Sequence, residues 1–118
     1  MNFIDRTAEF APQDAQTNKV MGILAYIGPL VFVPMFAAKE STWARFHANQ
    51  GLILFILEMA ASILGAVFAN IPWIGWLIAL PFYAVEVVSV VFAIMGIVAA
   101  SKGQAKEFPI IGGIKILK

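Results

Sequence analysis

Two glutamates lie inside otherwise apolar stretches of this chain and are the side chains best placed to do chemistry. Glu58 is the single charge in residues 51–69, and Glu86 is the single charge in residues 73–100. An ionised carboxylate in hydrocarbon costs at least about 2.5–3.5 kcal/mol, so each should face protein or water, or be protonated. The pair indicates either a proton or cation relay or two acids that hydrogen-bond neighbouring helices. The second, structural interpretation is favoured.

The predicted depths of the two carboxylates keep them apart. Glu58 comes seven residues into its stretch, about 10 Å from one membrane face, and Glu86 about 6 Å from the opposite face. In a hydrocarbon core of about 30 Å the carboxylates are then roughly 12–14 Å apart. This separation argues against an acid–base pair within one chain.

The only histidine lies in the polar lead-in to the second apolar stretch. At 100° per residue, one helix face carries a polar stripe. Its members are His47, Gln50, Leu54 and Glu58. The stripe predicts either a hydrated groove or a pH-responsive imidazole, whose ordinary pKa is about 6.5. The alternative is an interfacial belt that anchors the span at the lipid headgroups.

Small residues recur at intervals of four on both later stretches, a spacing that lets helices approach closely. They are Ala61, Gly65 and Ala69 on the second stretch and Gly96 and Ala100 on the third. These ladders indicate oligomerisation or packing within the chain, and packing within the chain is favoured.

Composition sets the solvent in which these residues act. Of 118 residues, 61% are apolar and 13% charged, and the mean hydropathy is +0.86. So small a soluble fold cannot bury that much apolar surface, so a bilayer must cover it. Soluble enzymes, free nucleic-acid binders and disordered chains are therefore excluded. The absence of cysteine and the single histidine exclude disulfides, thiolate sites and multi-histidine metal sites, so we expect no catalytic residues, metal or other cofactor.

Hydrophobic run lengths predict an all-α integral membrane bundle of three transmembrane helices, with four as the alternative. Residues 1–19 form a polar N-terminal tail, residues 20–100 the helical membrane domain and residues 101–118 a basic interfacial tail. The first span covers residues 20–38 and is kinked by its two prolines.

The later spans carry clearer boundary signals. The second begins near Ser41 or Thr42 and ends at Asn70. Pro81 breaks the last stretch, which leaves a span over residues 82–100; in the four-span alternative, residues 73–100 fold into two short spans. The numbers of Lys and Arg residues beside the spans predict that the C-terminal tail is cytoplasmic in both topologies.

The loop into the second span carries a moderately specific motif, ARFHANQGL at residues 44–52, after a short Lys/Ser loop. With the ending at residues 99–103 and the Phe-Pro-Ile at 108–110, the chain resembles a family of small bacterial membrane proteins of unknown function. That family is grouped with the small membrane subunit of the chloroplast Tic import translocon, and the likeness covers residues 21–117. The family-type residues are Arg45, His47, Asn49, Gln50 and Gly51. The resemblance implies a helical membrane protein without established catalysis, and its four-helix chloroplast relatives favour four spans.

These observations predict a non-enzymatic subunit or scaffold of a membrane complex, with a possible link to protein translocation. The alternative is a small homo-oligomeric channel or proton-coupled transporter that uses Glu58 and Glu86. We expect the partners to be the lipid bilayer and other membrane subunits or a second copy, with no nucleic acid. The expected location is the bacterial inner membrane, which the chain crosses more than once.

Overall fold

The computed structural model describes residues 4–109. Helices dominate this part of the chain, and two very short strands pair near its ends. In chain order the elements are β1 (Ile4–Asp5), a 3-10 turn (Thr7–Glu9), α1 (Pro12–Thr17), α2 (Lys19–Leu24), a 3-10 turn (Gly28–Val31), α3 (Phe32–Ala37), α4 (Thr42–Ala69), α5 (Gly75–Ser101) and β2 (Lys106–Glu107).

An antiparallel hairpin of α4 and α5 is the backbone of the fold. At 1.5 Å per residue, helices of 28 and 27 residues are each about 40 Å long, enough to cross a hydrocarbon core of about 30 Å. Ser41 caps α4, since its Oγ accepts a 3.0 Å hydrogen bond from the Ala44 N–H. The predicted start of this helix at Ser41 or Thr42 and its end at Asn70 are confirmed.

The last apolar stretch forms one helix, so the predicted break at Pro81 and the split of residues 73–100 are wrong. Pro81 lies inside α5. Its missing N–H removes one backbone hydrogen bond, and packing against α4 keeps the helix continuous.

The first apolar stretch does not form one long helix. It divides into α2, a 3-10 turn and α3, and each α-helix has six residues, about 9 Å. Gly28, with a φ of +49°, and Pro29 begin the 3-10 turn four residues after α2 ends, and together they turn the chain. The described residues therefore contain two helices long and apolar enough to cross a membrane, where the sequence predicted three.

The described part of the protein divides into two regions of different character, one at each end of the hairpin. At its open end, α1–α3 and residues 102–109 pack around the first half of α4 and the end of α5, and β1 pairs antiparallel with β2. We call this part (residues 4–54 and 96–109) the head. The remainder of the hairpin (residues 55–95) is the stem, whose apolar side chains are largely exposed, with Ile63 57% and Val87 63% exposed. An apolar surface of this extent suits lipid as its solvent.

Candidate functional site

A buried hydrogen-bonded network fills the centre of the head. Tyr26, from the turn after α2, and His47 and Gln50, from the first turns of α4, are all buried. The Tyr26 Oη lies 2.6 Å from the His47 Nδ1 and accepts a 2.9 Å hydrogen bond from the Gln50 Nε2. The network continues to the segment after α5, because the His47 Nε2 lies 2.7 Å from the Gln104 carbonyl oxygen.

The partners of His47 define its protonation state. A carbonyl oxygen only accepts, so the Nε2 that faces Gln104 carries the proton. The Nδ1 then accepts from the Tyr26 hydroxyl, whose oxygen is free to accept from Gln50. Every group in this hydrogen-bonded series is satisfied with a neutral imidazole, and protonation of Nδ1 would remove the acceptor of the Tyr26 hydroxyl proton.

Gln50 and Trp43 tie the segment after α5 to α4. The Gln50 amide donates to the Lys106 carbonyl at 3.0 Å and accepts from the Phe108 N–H at 2.7 Å. The Trp43 indole donates to the Gln104 carbonyl at 3.1 Å. Because such buried bonds are expensive to leave unmade, the network holds residues 104–108 against the hairpin.

Three glycines allow the helices of the head to approach this closely. A Cβ on Gly51 would lie 1.7 Å from the Ala25 carbonyl oxygen, and one on Gly96 would lie 2.6 Å from the Tyr26 ring. A Cβ on Gly22 would lie 2.5 Å from the Trp43 ring. Since real Cβ contacts of that length do not occur, each position requires glycine.

Asp14 joins the N-terminal segment to the start of α4. Its carboxylate accepts hydrogen bonds from the Ser41 Oγ at 2.6 Å, the Asn18 Nδ2 at 2.8 Å and the Trp43 N–H at 3.2 Å. Partial burial alone would raise the pKa of Asp14, but the donors from Ser41, Trp43 and Asn18 outweigh it and lower that pKa below its ordinary value. Asp14 therefore acts as an ionised cap of α4.

An ion pair closes the edge of the head. The Arg6 guanidinium contacts the buried Glu107 carboxylate through Nε at 3.0 Å and through a second nitrogen at 3.2 Å. Arg6 also pairs with exposed Glu9 at 2.9 Å. Glu107 raises the already high pKa of Arg6 further, so the guanidinium stays charged.

The stem brings the two intramembrane glutamates closer than their sequence depths predicted. Ser62, one turn beyond Glu58 on α4, donates a hydrogen bond to the Glu86 carboxylate on α5. The prediction of different depths is wrong because α5 begins at Gly75 rather than Phe82, which brings Glu86 to Ser62, one turn of α4 beyond Glu58.

The polar stripe predicted on α4 divides between head and stem. His47 and Gln50 are buried in the head network, and Leu54 is buried beside them. They line no hydrated groove, so that interpretation is wrong. Glu58 belongs to the stem, where it is half-buried.

The ladder residues contact other parts of the same chain at several points. Gly65 faces Phe82 and Tyr83 across the hairpin, and Gly96 faces Tyr26. Ala61 and Ala100 are buried, whereas Ala69 is exposed at the stem tip. An oligomeric role of these residues stays a prediction.

Sequence reasoning missed the partners of the family-type residues. Tyr26 and Asp14 were not recognised, although each is the polar residue of its segment that reaches the α4 lead-in. Asp14 lies 27 positions before Ser41, so no local sequence pattern indicates the contact between them. The one available sign was that polar residues begin an otherwise apolar helix, which indicates that another segment must supply their hydrogen-bond partners. Of the remaining motif residues, Asn49 is buried in the head and Arg45 is half-exposed.

Among residues 4–109 there is no cluster of three or more His, Asp or Glu side chains that could hold a metal ion. A cavity of about 200 Å³ lies between α1 and the end of α5, bordered by Gln16, Lys19 and Lys102. A second, of about 350 Å³, lies along the outer face of α5.

Comparison with known proteins identifies relatives along nearly the whole chain. Residues 15–117 match the family model of the magnetosome magnetite crystal formation proteins, MamF and MmsF. The magnetosome protein MamF of Paramagnetospirillum magneticum is 31% identical over 94 residues, 79% of this chain and 78% of the relative. Its counterpart MamF in Magnetospirillum gryphiswaldense is 31% identical over 99 residues, 83% of this chain and 82% of the relative.

A third relative comes from an archaeon. A UPF0132 membrane protein of Methanocaldococcus jannaschii is 28% identical over 115 residues, 97% of this chain and 76% of the relative. No solved structure matches the chain.

The resemblance to the chloroplast import component is therefore wrong. The motif at residues 44–52 that suggested it lies in the head, where most of its side chains are buried and His47 and Gln50 form the network. These residues meet a packing requirement of this fold and say nothing about import. The link to protein translocation falls with the resemblance.

Proposed function

We propose that this chain, which belongs to the MamF/MmsF magnetosome magnetite crystal formation family, is a non-enzymatic scaffold of a membrane complex. The stem is its membrane anchor, and the head is a folded unit held at one membrane surface. A scaffold needs a surface whose position relative to the bilayer is fixed. The observation that carries the proposal is the network that fixes the first turns of α4 to Tyr26 and to the segment after α5.

The distribution of charge supports a single orientation for this hairpin. All eight Lys and Arg residues of the sequence lie outside residues 46–101, and none lies in the turn between α4 and α5. A two-span hairpin then has every basic residue on one side, which the positive-inside rule makes cytoplasmic. The head and the C-terminal tail are on that side.

Two acidic side chains of the head, those of Asp14 and Glu107, are committed to its own structure, which also favours a scaffold. Asp14 caps α4, and Glu107 is paired with Arg6. The family description ties its members to the formation of magnetite crystals. The Methanocaldococcus relative is described as a membrane protein, so the relatives support a membrane role for this chain, and the scaffold is proposed from the structure of the head.

Cross-linking in native membranes tests the scaffold against a matched pair of variants. Gly96→Ala drives a methyl group into Tyr26 and loosens the head, whereas Gly65→Ala makes an ordinary 3.4 Å contact in the stem. We expect wild type and Gly65→Ala to give the same cross-linked complexes. Gly96→Ala should lose them while it still fractionates with the membrane. A wild-type chain that cross-links to nothing, itself included, would contradict the proposal.

A second candidate function rests on the group formed by Glu58, Ser62 and Glu86. Two carboxylates and a hydroxyl that bonds one of them, in an apolar stem, are the residue types of a proton or cation path. Two helices enclose no pore, so this function requires a homo-oligomer. In liposomes, flux between pH 5 and 8 that falls in Glu58→Gln but persists in Glu40→Gln, a glutamate of the head loop, would support it. Flux that Glu58→Gln leaves unchanged would refute it.

A further inference from the structure

A groove of about 350 Å³ follows the outer face of α5 where the helix leaves the stem and enters the head. Its floor and mouth differ in chemistry. The floor is apolar and the mouth carries two lysines and an amide. The floor is formed by Ile94, Met95 and Val98, and the mouth by Lys102, Gln104 and Lys106.

The mouth keeps a net positive charge. Lys102 is exposed and Lys106 is half-buried. Asp5, the strand partner of Lys106, is the acidic group whose charge reaches it. Glu107 is paired with Arg6, so the charges that line the mouth itself are those of Lys102 and Lys106.

The C-terminal end of α5 does not repel an anion bound at this mouth. Gly103, with a φ of +72°, turns the chain, and the N–H groups of Gly103 and Gln104 donate to the last carbonyls of the helix at 3.0 and 2.9 Å. These carbonyls would otherwise present partial negative charge to the groove. The lysines therefore determine the local potential.

The groove also lies at the depth of a lipid headgroup. Trp73 and Trp76, 97% and 65% exposed, lie at the opposite end of the stem, where aromatic rings meet the interface. From Trp76 to Lys102 is 26 residues of α5 and its end, about 39 Å, against about 40–45 Å for a bilayer with its headgroups. Val98 lies about 6 Å deeper than Lys102, and Ile94 about 12 Å deeper, where acyl chains begin.

We propose that this groove binds an anionic phospholipid. Lys102 and Lys106 hold the phosphate, and an acyl chain lies along Ile94, Met95 and Val98. The apolar floor continues directly from the charged mouth, and a free phosphate would make no use of it. This site is additional to the scaffold role, and it would fix the depth and tilt of the head by a specific lipid.

Binding can be measured on the full chain in a neutral detergent, by titration with phosphatidylglycerol, phosphatidylcholine or inorganic phosphate. The double variant Lys102→Gln/Lys106→Gln removes the charge, and Val98→Trp fills the floor without changing the charge. The control is Lys39→Gln, which removes one exposed lysine that does not line the groove. Thermal unfolding of each variant confirms that it is folded.

We expect phosphatidylglycerol to bind more tightly than phosphatidylcholine. Each lysine contributes about 5-fold, so the double variant should bind about 25-fold more weakly, while Lys39→Gln changes binding by less than 2-fold. Val98→Trp should weaken binding as well. The proposal is overturned if Lys39→Gln matches the double variant, if phosphatidylcholine binds equally, or if Val98→Trp has no effect. It is also overturned if inorganic phosphate competes as well as the lipid does. None of these outcomes bears on cross-linking of the scaffold.

Discussion

The contact between Gly96 and Tyr26 gives a sharp test of how the head is attached to the hairpin. In Gly96→Ala the new methyl carbon would lie 2.6–2.8 Å from three atoms of the Tyr26 ring, about 0.8 Å inside an ordinary 3.4 Å contact. Tyr26 cannot withdraw freely. Its ring is buried, it packs edge-on to His47, and its oxygen lies in hydrogen bonds of 2.6 and 2.9 Å.

The size of the effect follows from these contacts. Overpacking a buried site costs about 1–3 kcal/mol, and moving Tyr26 weakens two hydrogen bonds of about 1 kcal/mol each. The higher helix propensity of alanine returns about 1 kcal/mol. We expect a net loss of about 2 kcal/mol in the free energy of unfolding. Gly65→Ala meets Phe82 and Tyr83 at 3.4 Å, so it should be neutral or stabilise by up to about 1 kcal/mol.

Equilibrium unfolding of both variants in detergent, followed by near-ultraviolet circular dichroism of the head aromatics, measures this difference. The two variants should differ by about 2–3 kcal/mol, or about 30- to 160-fold in the unfolding equilibrium. Equal stabilities, or a Gly65→Ala variant that loses as much as Gly96→Ala, would refute the close approach of α5 to Tyr26.

Three further substitutions test the other contacts of the head. Asp14→Asn should cost about 2 kcal/mol, because it weakens charge-assisted bonds from Ser41 and Trp43. Since the pKa of Asp14 is lowered on folding, its contribution is complete above the unfolded pKa of about 4 and is lost as the pH falls through the folded pKa. A pH titration of stability should show less acid sensitivity in the variant; an unchanged profile would exclude the cap. Phe108→Ala removes a buried ring that packs on Tyr26 and Phe92 and should cost about 3 kcal/mol in the free energy of unfolding. We expect faster proteolysis of residues 102–109 while α4 and α5 stay protected. Unchanged proteolysis would count against the packing. Trp43→Phe replaces a fully buried indole by a single smaller ring and loses the 3.1 Å bond to Gln104, so it should cost about 2–4 kcal/mol by thermal unfolding. A loss below about 1 kcal/mol would count against both the bond and the packing of the indole.

The later helices were predictable from the sequence because their signals are local. Ser41 ahead of a continuous apolar run fixes the start of α4, and Asn70 with the following turn fixes its end. Pro81 misled the prediction, since its local cost is real but small beside the packing of α5 along α4. The break in the first stretch was visible as Pro29, but its consequence, short helices in place of a span, depends on what those helices pack against.

The head could not be derived because its contacts are distant in the sequence. The bond between His47 and Gln104 joins positions 57 residues apart, and that between Arg6 and Glu107 joins positions 101 apart. The sequence presented polar residues on an apolar helix and offered two roles for them, a hydrated groove or an interfacial belt. In the structure, the N- and C-terminal segments bury these polar residues and supply their hydrogen-bond partners, so neither a hydrated groove nor an interfacial belt is needed. Only the fold reveals these partners.

The central claim, a membrane-crossing hairpin with its head on one side, is tested most directly by cysteine accessibility. The chain has no native cysteine, and Thr42, Asn70 and Lys102 are all exposed. Single cysteines at these positions are treated with a membrane-impermeant maleimide in intact cells and in inverted vesicles. Cysteines at 42 and 102 should react only in inverted vesicles, and the cysteine at 70 only in intact cells. Reaction of all three from the same side would contradict the account.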